Sequence, residues 1–141
     1  MVKKYTDVDP LILESLPNPV KEAYEIRNEI PEFSFMGGAG QPDYGQIRLW
    51  FYPDKKIIEL KSLKFYITHY RDIRISYERV INCIYDDLMA VYEPHRLRVE
   101  INFRPRGGIS SHLVIDSDWD VRGGSDKLWQ SHSKANLTET I

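Results

Sequence analysis

A chain of 141 residues with 42 % hydrophobic and 28 % charged residues is the size of one domain able to bury a core without disulfides or a structural metal. That composition excludes a disordered chain, and a formal net charge of −2 supplies no general field to attract nucleic acid or an anionic membrane, so any anion site has to be built locally. Cys83 is the sole cysteine, which excludes a disulfide framework, a cysteine-based zinc site and a thiol pair for redox exchange.

Met1 to Tyr5 lead into a polar segment, and no run approaches the roughly 18 apolar residues of a membrane span. A cytoplasmic protein, neither exported nor membrane-embedded, is the expectation. Residues 1–23 carry Pro10, Pro17 and Pro19 with little periodicity and read as an irregular arm. Tyr24 to Ile30 alternate as a strand closed by Pro31, and Met36 to Asp43 hold too much glycine for anything but a loop. Gln46 to Tyr52 alternate again, and Pro53-Asp54-Lys55-Lys56 turn the chain into an apolar run from Ile57, which predicts a β-hairpin between these two runs.

A short helix is expected over Leu63 to Tyr70. The longer one is better marked: Ser76 is a good N-cap, Glu78 stands in the first turn, Tyr77, Ile81, Ile84, Leu88 and Val91 share a face, and Pro94 ends it. Leu97 to Phe103 and His112 to Ile115 supply two more strands, and the tail from Gly123, with Trp129 its main anchor, reads as loose. The order ββααββ implies an α+β domain over 24–122, an antiparallel sheet with its helices on one face.

Generic motifs add little. Gly37, Gly38 and Gly40 match neither dinucleotide nor phosphate-loop spacing and read as a plain loop. His69, His95, His112 and His132 lack metal-ligand spacing, and no elbow motif marks a catalytic serine, so no metal site is expected. Glu59-Leu60-Lys61-Ser62-Leu63-Lys64-Phe65-Tyr66 places a glutamate and two lysines where an apolar strand meets a helix; on charge alone this is a solvated face.

That octapeptide nevertheless resembles the signature of the 7-cyano-7-deazaguanine reductases, the NADPH-dependent nitrile reductases of queuosine biosynthesis. Three further segments fall in that family's order: Pro31-Glu32-Phe33 leading into Gly40-Gln41-Pro42-Asp43-Tyr44, Ser76-Tyr77-Glu78, and Phe103-Arg104-Pro105-Arg106-Gly107-Gly108. The resemblance covers roughly Asn18 to Ile115 and implies a tunnelling fold (T-fold), assembled into a homo-oligomeric ring with a 7-deazaguanine base bound between subunits. It places Glu78 on the amidine-like edge of the base, Ile58, Glu59 and Leu60 on its other contacts, and Lys61, Lys64 and Arg106 on the phosphates of NADPH.

The same comparison exposes two departures. The family's nucleophilic cysteine lies seven residues before its aspartate, and seven back from Asp43 is Met36, whose thioether cannot become a thiolate. Tyr77 stands where the family has a histidine, and a phenol with a reference pKa of about 10 shuttles protons poorly at neutral pH. Recognition residues are kept and Asp43 remains as an acid, while nucleophile and proton donor are lost. The readings left open are a divergent enzyme acting on the nitrile base or a relative, a non-catalytic 7-deazaguanine- or purine-binding paralogue or partner subunit, and a pterin-binding T-fold protein.

Overall fold

The computed structural model describes residues 3–118; the tail expected from Gly123 onward, with Trp129, lies outside them. The N-terminal arm holds more structure than its prolines suggest. Strand β1 (Lys3–Lys4) is followed by two 3-10 turns, the second capped by Asp9 accepting from the Leu11 N–H, and then by β2 (Ser15–Pro17). Glu14 ties the arm down: its carbonyl accepts from the Glu59 N–H at 3.1 Å and the Tyr92 hydroxyl at 2.7 Å, and its N–H donates to Ser62 Oγ at 2.9 Å.

Two long strands follow, β3 (Ile26–Met36) and β4 (Pro42–Tyr52), paired antiparallel from Ile26↔Phe51 to Met36↔Pro42. Pro31 therefore does not end the strand. A register shift between Ile30 and Phe33 absorbs the proline in a bulge, where its missing N–H costs no ladder bond. The hairpin expected between Gln46–Tyr52 and the run from Ile57 is also corrected. The glycine loop is the hairpin turn, joining β4 back to β3, while the short β5 (Lys56–Ile58) pairs with β2 of the arm.

Helix α1 (Leu60–Thr68) starts three residues before the expected Leu63, because the Glu59 side chain caps it by accepting from the N–H groups of Lys61 and Ser62. A 3-10 turn over His69–Asp72 and the two-residue β6 (Ile73–Arg74) lead to α2 (Tyr77–Tyr92), capped by Ser76 accepting from the Arg79 N–H. Glu93 closes α2 in the left-handed region at φ 47°, and its N–H bonds the Met89 carbonyl. Strands β7 (Arg96–Arg106) and β8 (Ile109–Asp116) complete a six-stranded sheet of order β1-β6-β3-β4-β7-β8.

The four long strands and two helices reproduce the ββααββ order. On the helix face, Phe33, Phe35, Ile47, Leu49, Phe51, Leu97, Val99, Ile101 and Phe103 are buried against Leu63, Tyr66, Ile67, Val80, Ile84 and Leu88. Each fully buried side chain of this kind contributes roughly 1.5–3 kcal/mol. The other face is polar and aromatic, with Arg27, Trp50, Arg98 and Asp116 in one cross-strand row and both arginines stacked on the Trp50 ring at 5.4 and 5.8 Å. Among the described residues no helix is long and apolar enough to cross a membrane.

Candidate functional site

Asp43 is the second residue of β4, at the mouth of the hairpin turn and on the helix face, where its side chain is 7 % exposed. A carboxylate taken out of water needs partners. One oxygen accepts from Arg106 Nη1 at 2.9 Å, reaching across from the end of β7, and the other faces the Tyr77 hydroxyl at 3.4 Å. The pair rests on Gly37: a Cβ there would lie 2.9 Å from Asp43 Oδ2 and 3.2 Å from Arg106 Nη1, so only glycine lets the loop pass beneath.

Tyr77 is held by its ring as well as its hydroxyl. It stacks on Phe103 with centroids 3.9 Å apart and planes 8° from parallel, and meets Phe35 edge-on at 6.0 Å. Burial, followed by the nearby Asp43 carboxylate, pushes the phenol above its ordinary value, so at neutral pH it is a donor. Beside it, on the exposed first turn of α2, the Glu78 side chain has no hydrogen bond or ion pair among the described residues. Met36 lies at the other side of the turn; the pairing sets Phe35, not Met36, opposite Asp43.

The sequence reading thus has one group of its residues brought together: Asp43, Tyr77 and Arg106 touch, with Glu78 adjacent and Met36 at the neck of the same loop. Arg106, expected on cofactor phosphates, is engaged with Asp43 in this structure while its side chain stays 47 % exposed. The second group, Ile58, Glu59, Leu60, Lys61 and Lys64, sits at the start of α1, with no hydrogen bond or ion pair joining it to the first among the described residues. Ile58 is buried, and Glu59 and Leu60 are the cap and first residue of α1. Lys61 and Lys64 are exposed and without ion-pair partners among the described residues, Lys64 lining a groove of about 390 Å³ with Leu60, Asn28 and Arg71.

Cys83 offers no replacement thiolate. It is half-buried in α2, where burial raises its pKa, and its sulfur lies 3.9 Å from the Asp87 carboxylate. A larger recess of about 680 Å³ opens between β3, β4 and β7, lined by Glu32, Ser34, Gln46, Asn102, Phe103 and Arg104 among others. It contains none of Met36, Asp43, Tyr77 or Glu78, and sequence reasoning did not mark it.

The model of the family described as QueF-like protein matches residues 42–122. The chain belongs to the QueF-like family. An NADPH-dependent 7-cyano-7-deazaguanine reductase of Nitrosomonas europaea is 46 % identical over 106 residues, spanning 74 % of this chain and 76 % of that protein. The protein of the same description from Prochlorococcus marinus (strain MIT 9515) is 44 % identical over 98 residues, covering 69 % of this chain and 72 % of its own length. A third, from Rhodopirellula baltica, is 42 % identical over 105 residues, covering 73 % and 87 %. The crystal structure of the archaeosine synthase QueF-Like in the apo form matches with a TM-score of 0.64 over 69 % of this chain and 96 % of that one, at 15 % identity, which is a likeness of fold. The QueF-like architecture is accordingly the α+β tunnelling fold that the resemblance implies, and its element order is the one expected. The family match begins at Pro42, so Met36 and the glycine loop precede it.

Proposed function

We propose that this QueF-like chain binds a 7-deazaguanine base, with the Glu78 carboxylate accepting two hydrogen bonds from the amidine-like edge and Tyr77 donating beside it. The observation that carries the reading is that Glu78, unpartnered among the described residues, stands next to a Tyr77–Phe103 stack that already presents a flat surface. Two charge-assisted hydrogen bonds to one carboxylate give both affinity and orientation. The remaining contacts, from Ile58, Glu59 and Leu60, come from a second copy, because these residues lie at the start of α1, apart from Glu78. Ring assembly is therefore part of the proposal, and the base belongs to the queuosine pathway's chemistry.

The relatives are named as NADPH-dependent. The exposed, unpaired Lys61 and Lys64 fit the phosphates of that cofactor, and Arg106 fits only by sharing its guanidinium with Asp43. When bound, NADPH supplies hydride. Among the described residues around the glycine loop no nucleophile stands ready to capture the nitrile carbon: Met36 has no ionisable proton, and Asp43 and Tyr77 are occupied with Arg106 and with each other. Base recognition without covalent capture is the reading that fits best, as a paralogue or partner subunit of an active reductase. A divergent enzyme that attacks the same carbon by another route is the second reading, favoured by the retained Asp43. A pterin presents the same donor edge and is the competitor to test.

Calorimetry with 7-cyano-7-deazaguanine, a pterin and each with NADPH decides among these. The expected result is binding of the deazaguanine that disappears in Glu78→Ala, with no mass adduct on the intact protein and no NADPH oxidation. Turnover would establish the second reading; tighter pterin binding would establish the third, and silence toward every base would remove all three.

A further inference from the structure

We infer that Arg74, with Lys4 beside it, forms a phosphate-binding site on the rim of the glycine loop, next to position 36. Strand β6 lies between β1 and β3, and the parallel register pairs Arg74 with Lys4 on one side and with Met36 on the other. Met36, Arg74 and Lys4 therefore form one row across three strands. The residue in the nucleophile's place has Arg74 as its ladder partner and Lys4 one strand further on.

Neither cation is neutralised by a described residue. Among the described residues the Arg74 guanidinium has no hydrogen bond or ion pair, and the Lys4 ammonium has no ion-pair partner. The nearby carboxylates are engaged elsewhere: Asp72 with Lys3 at 3.8 Å, Asp7 with the Lys4 backbone N–H at 2.8 Å, and Asp43 with Arg106. Arg74 also reaches the glycine loop. A Cβ at Gly40, whose φ is +81°, would lie 2.8 Å from Arg74 Nη2, so the guanidinium lies directly against the backbone of the loop. The loop is braced from within by Gly37 N–H to the Gln41 carbonyl at 2.8 Å and Gly40 N–H to the Gly37 carbonyl at 2.9 Å. At its tip nothing lies within 4 Å of where a Gly38 side chain would begin, which leaves room for a ligand.

A planar guanidinium lying against a backbone turn, with a second cation on the neighbouring strand, suits a tetrahedral oxyanion. The phosphate has two possible sources: the 5′-phosphate of a nucleotide whose base lies against Glu78, or a phosphate of NADPH. The base arm rests on the function proposed above, whereas the phosphate site itself does not.

The test uses the full chain and four probes: inorganic pyrophosphate, free 7-cyano-7-deazaguanine, its nucleoside 5′-monophosphate, and NADPH against NADH. Pyrophosphate is expected to shift the amide resonances of Gly37, Gly38 and Gly40, and to do so less as salt rises. If the phosphate is the nucleotide's, the monophosphate binds about tenfold or more tightly than the free base, the scale of one charge-assisted hydrogen bond. That advantage vanishes in Arg74→Ala and partly returns in Arg74→Lys. If it is the cofactor's, Arg74→Ala removes instead the preference for NADPH over NADH. Arg74→Ala and Lys4→Ala both leaving every phosphate-bearing probe unchanged would overturn the inference. Loss of base binding with the pyrophosphate response intact would sink the base reading alone.

Discussion

At the β8 edge of the sheet the buried Asp116 carboxylate accepts from Arg96 at 2.8 and 3.1 Å, from Arg98 at 3.2 Å and from the Asp118 N–H at 2.8 Å. At the opposite corner, around the glycine loop, Glu78, Arg74 and Lys4 hold their charges toward solvent with no ion-pair partner among the described residues. Both regions place several charges on strand and helix ends, yet one saturates them and the other leaves them open. Saturation is what a fold needs from a charge it buries. Charges kept unsatisfied at a rim, beside a rigid aromatic stack and a braced loop, are what a ligand needs.

The comparison is broken most severely by emptying the saturated side. Asp116→Ala takes from Arg96 and Arg98 the buried carboxylate they share, leaving Arg98, 12 % exposed, with Glu100 at 2.8 Å, and a loss of about 3–5 kcal/mol is expected in urea unfolding. The same region sets the acid response. Burial alone would raise Asp116 and Glu100, but hydrogen bonds from Arg96 and the Asp118 N–H to the first, and from His112 and Arg98 to the second, outweigh it and hold both below the ordinary carboxylate range. Their stabilisation is therefore intact above the unfolded value of about 4 and is lost as the pH falls through the lowered folded values. In Asp116→Ala the acid-induced fall in stability should be correspondingly shallower.

On the open side, Glu78→Ala should cost about 100-fold in affinity for the base, roughly 2.7 kcal/mol, while unfolding changes by less than about 1 kcal/mol. Gly37→Ala sits between the two behaviours: its Cβ meets the Asp43–Arg106 pair, and a loss of about 1–3 kcal/mol is expected, with the Tyr77 phenol titrating differently as Asp43 moves. The smallest effect belongs to a pair that is neither saturated nor poised. Lys56→Ala removes an exposed contact to Glu93 at 3.4 Å and a hydrogen bond to the Val91 carbonyl at 3.1 Å, and should change stability by about 1 kcal/mol in the same measurement.

What was legible in the sequence followed distance along the chain. Helix α2 is written locally, in Ser76, Glu78 and the spacing of Ile81, Ile84 and Leu88, and it appeared as expected. The strand through Pro31 was cut short because a bulge is invisible without the partner strand that it is measured against. The misassigned hairpin has the same origin: Pro53-Asp54 does turn the chain, but the run from Ile57 finds its partner in Ser15–Pro17, 40 residues away, rather than in β4. The Arg106–Asp43 contact spans 63 residues and has no local signal, so the only reading of Arg106 available from the sequence is the phosphate role that the resemblance implies. Arg74 was missed for a related reason, since a two-residue strand has no periodicity from which to read its neighbours.

The bulged strand β3 carries a practical consequence. On the side away from β4 it has no strand neighbour from Ile26 to Phe35 among the described residues, and Asn28 Oδ1 is buried there without a hydrogen-bond donor. Such an edge is a template for whichever extended chain arrives first. Truncation of the arm or a substitution that opens the groove beside α1 is expected to expose that template further and to lower solubility, read as turbidity during purification.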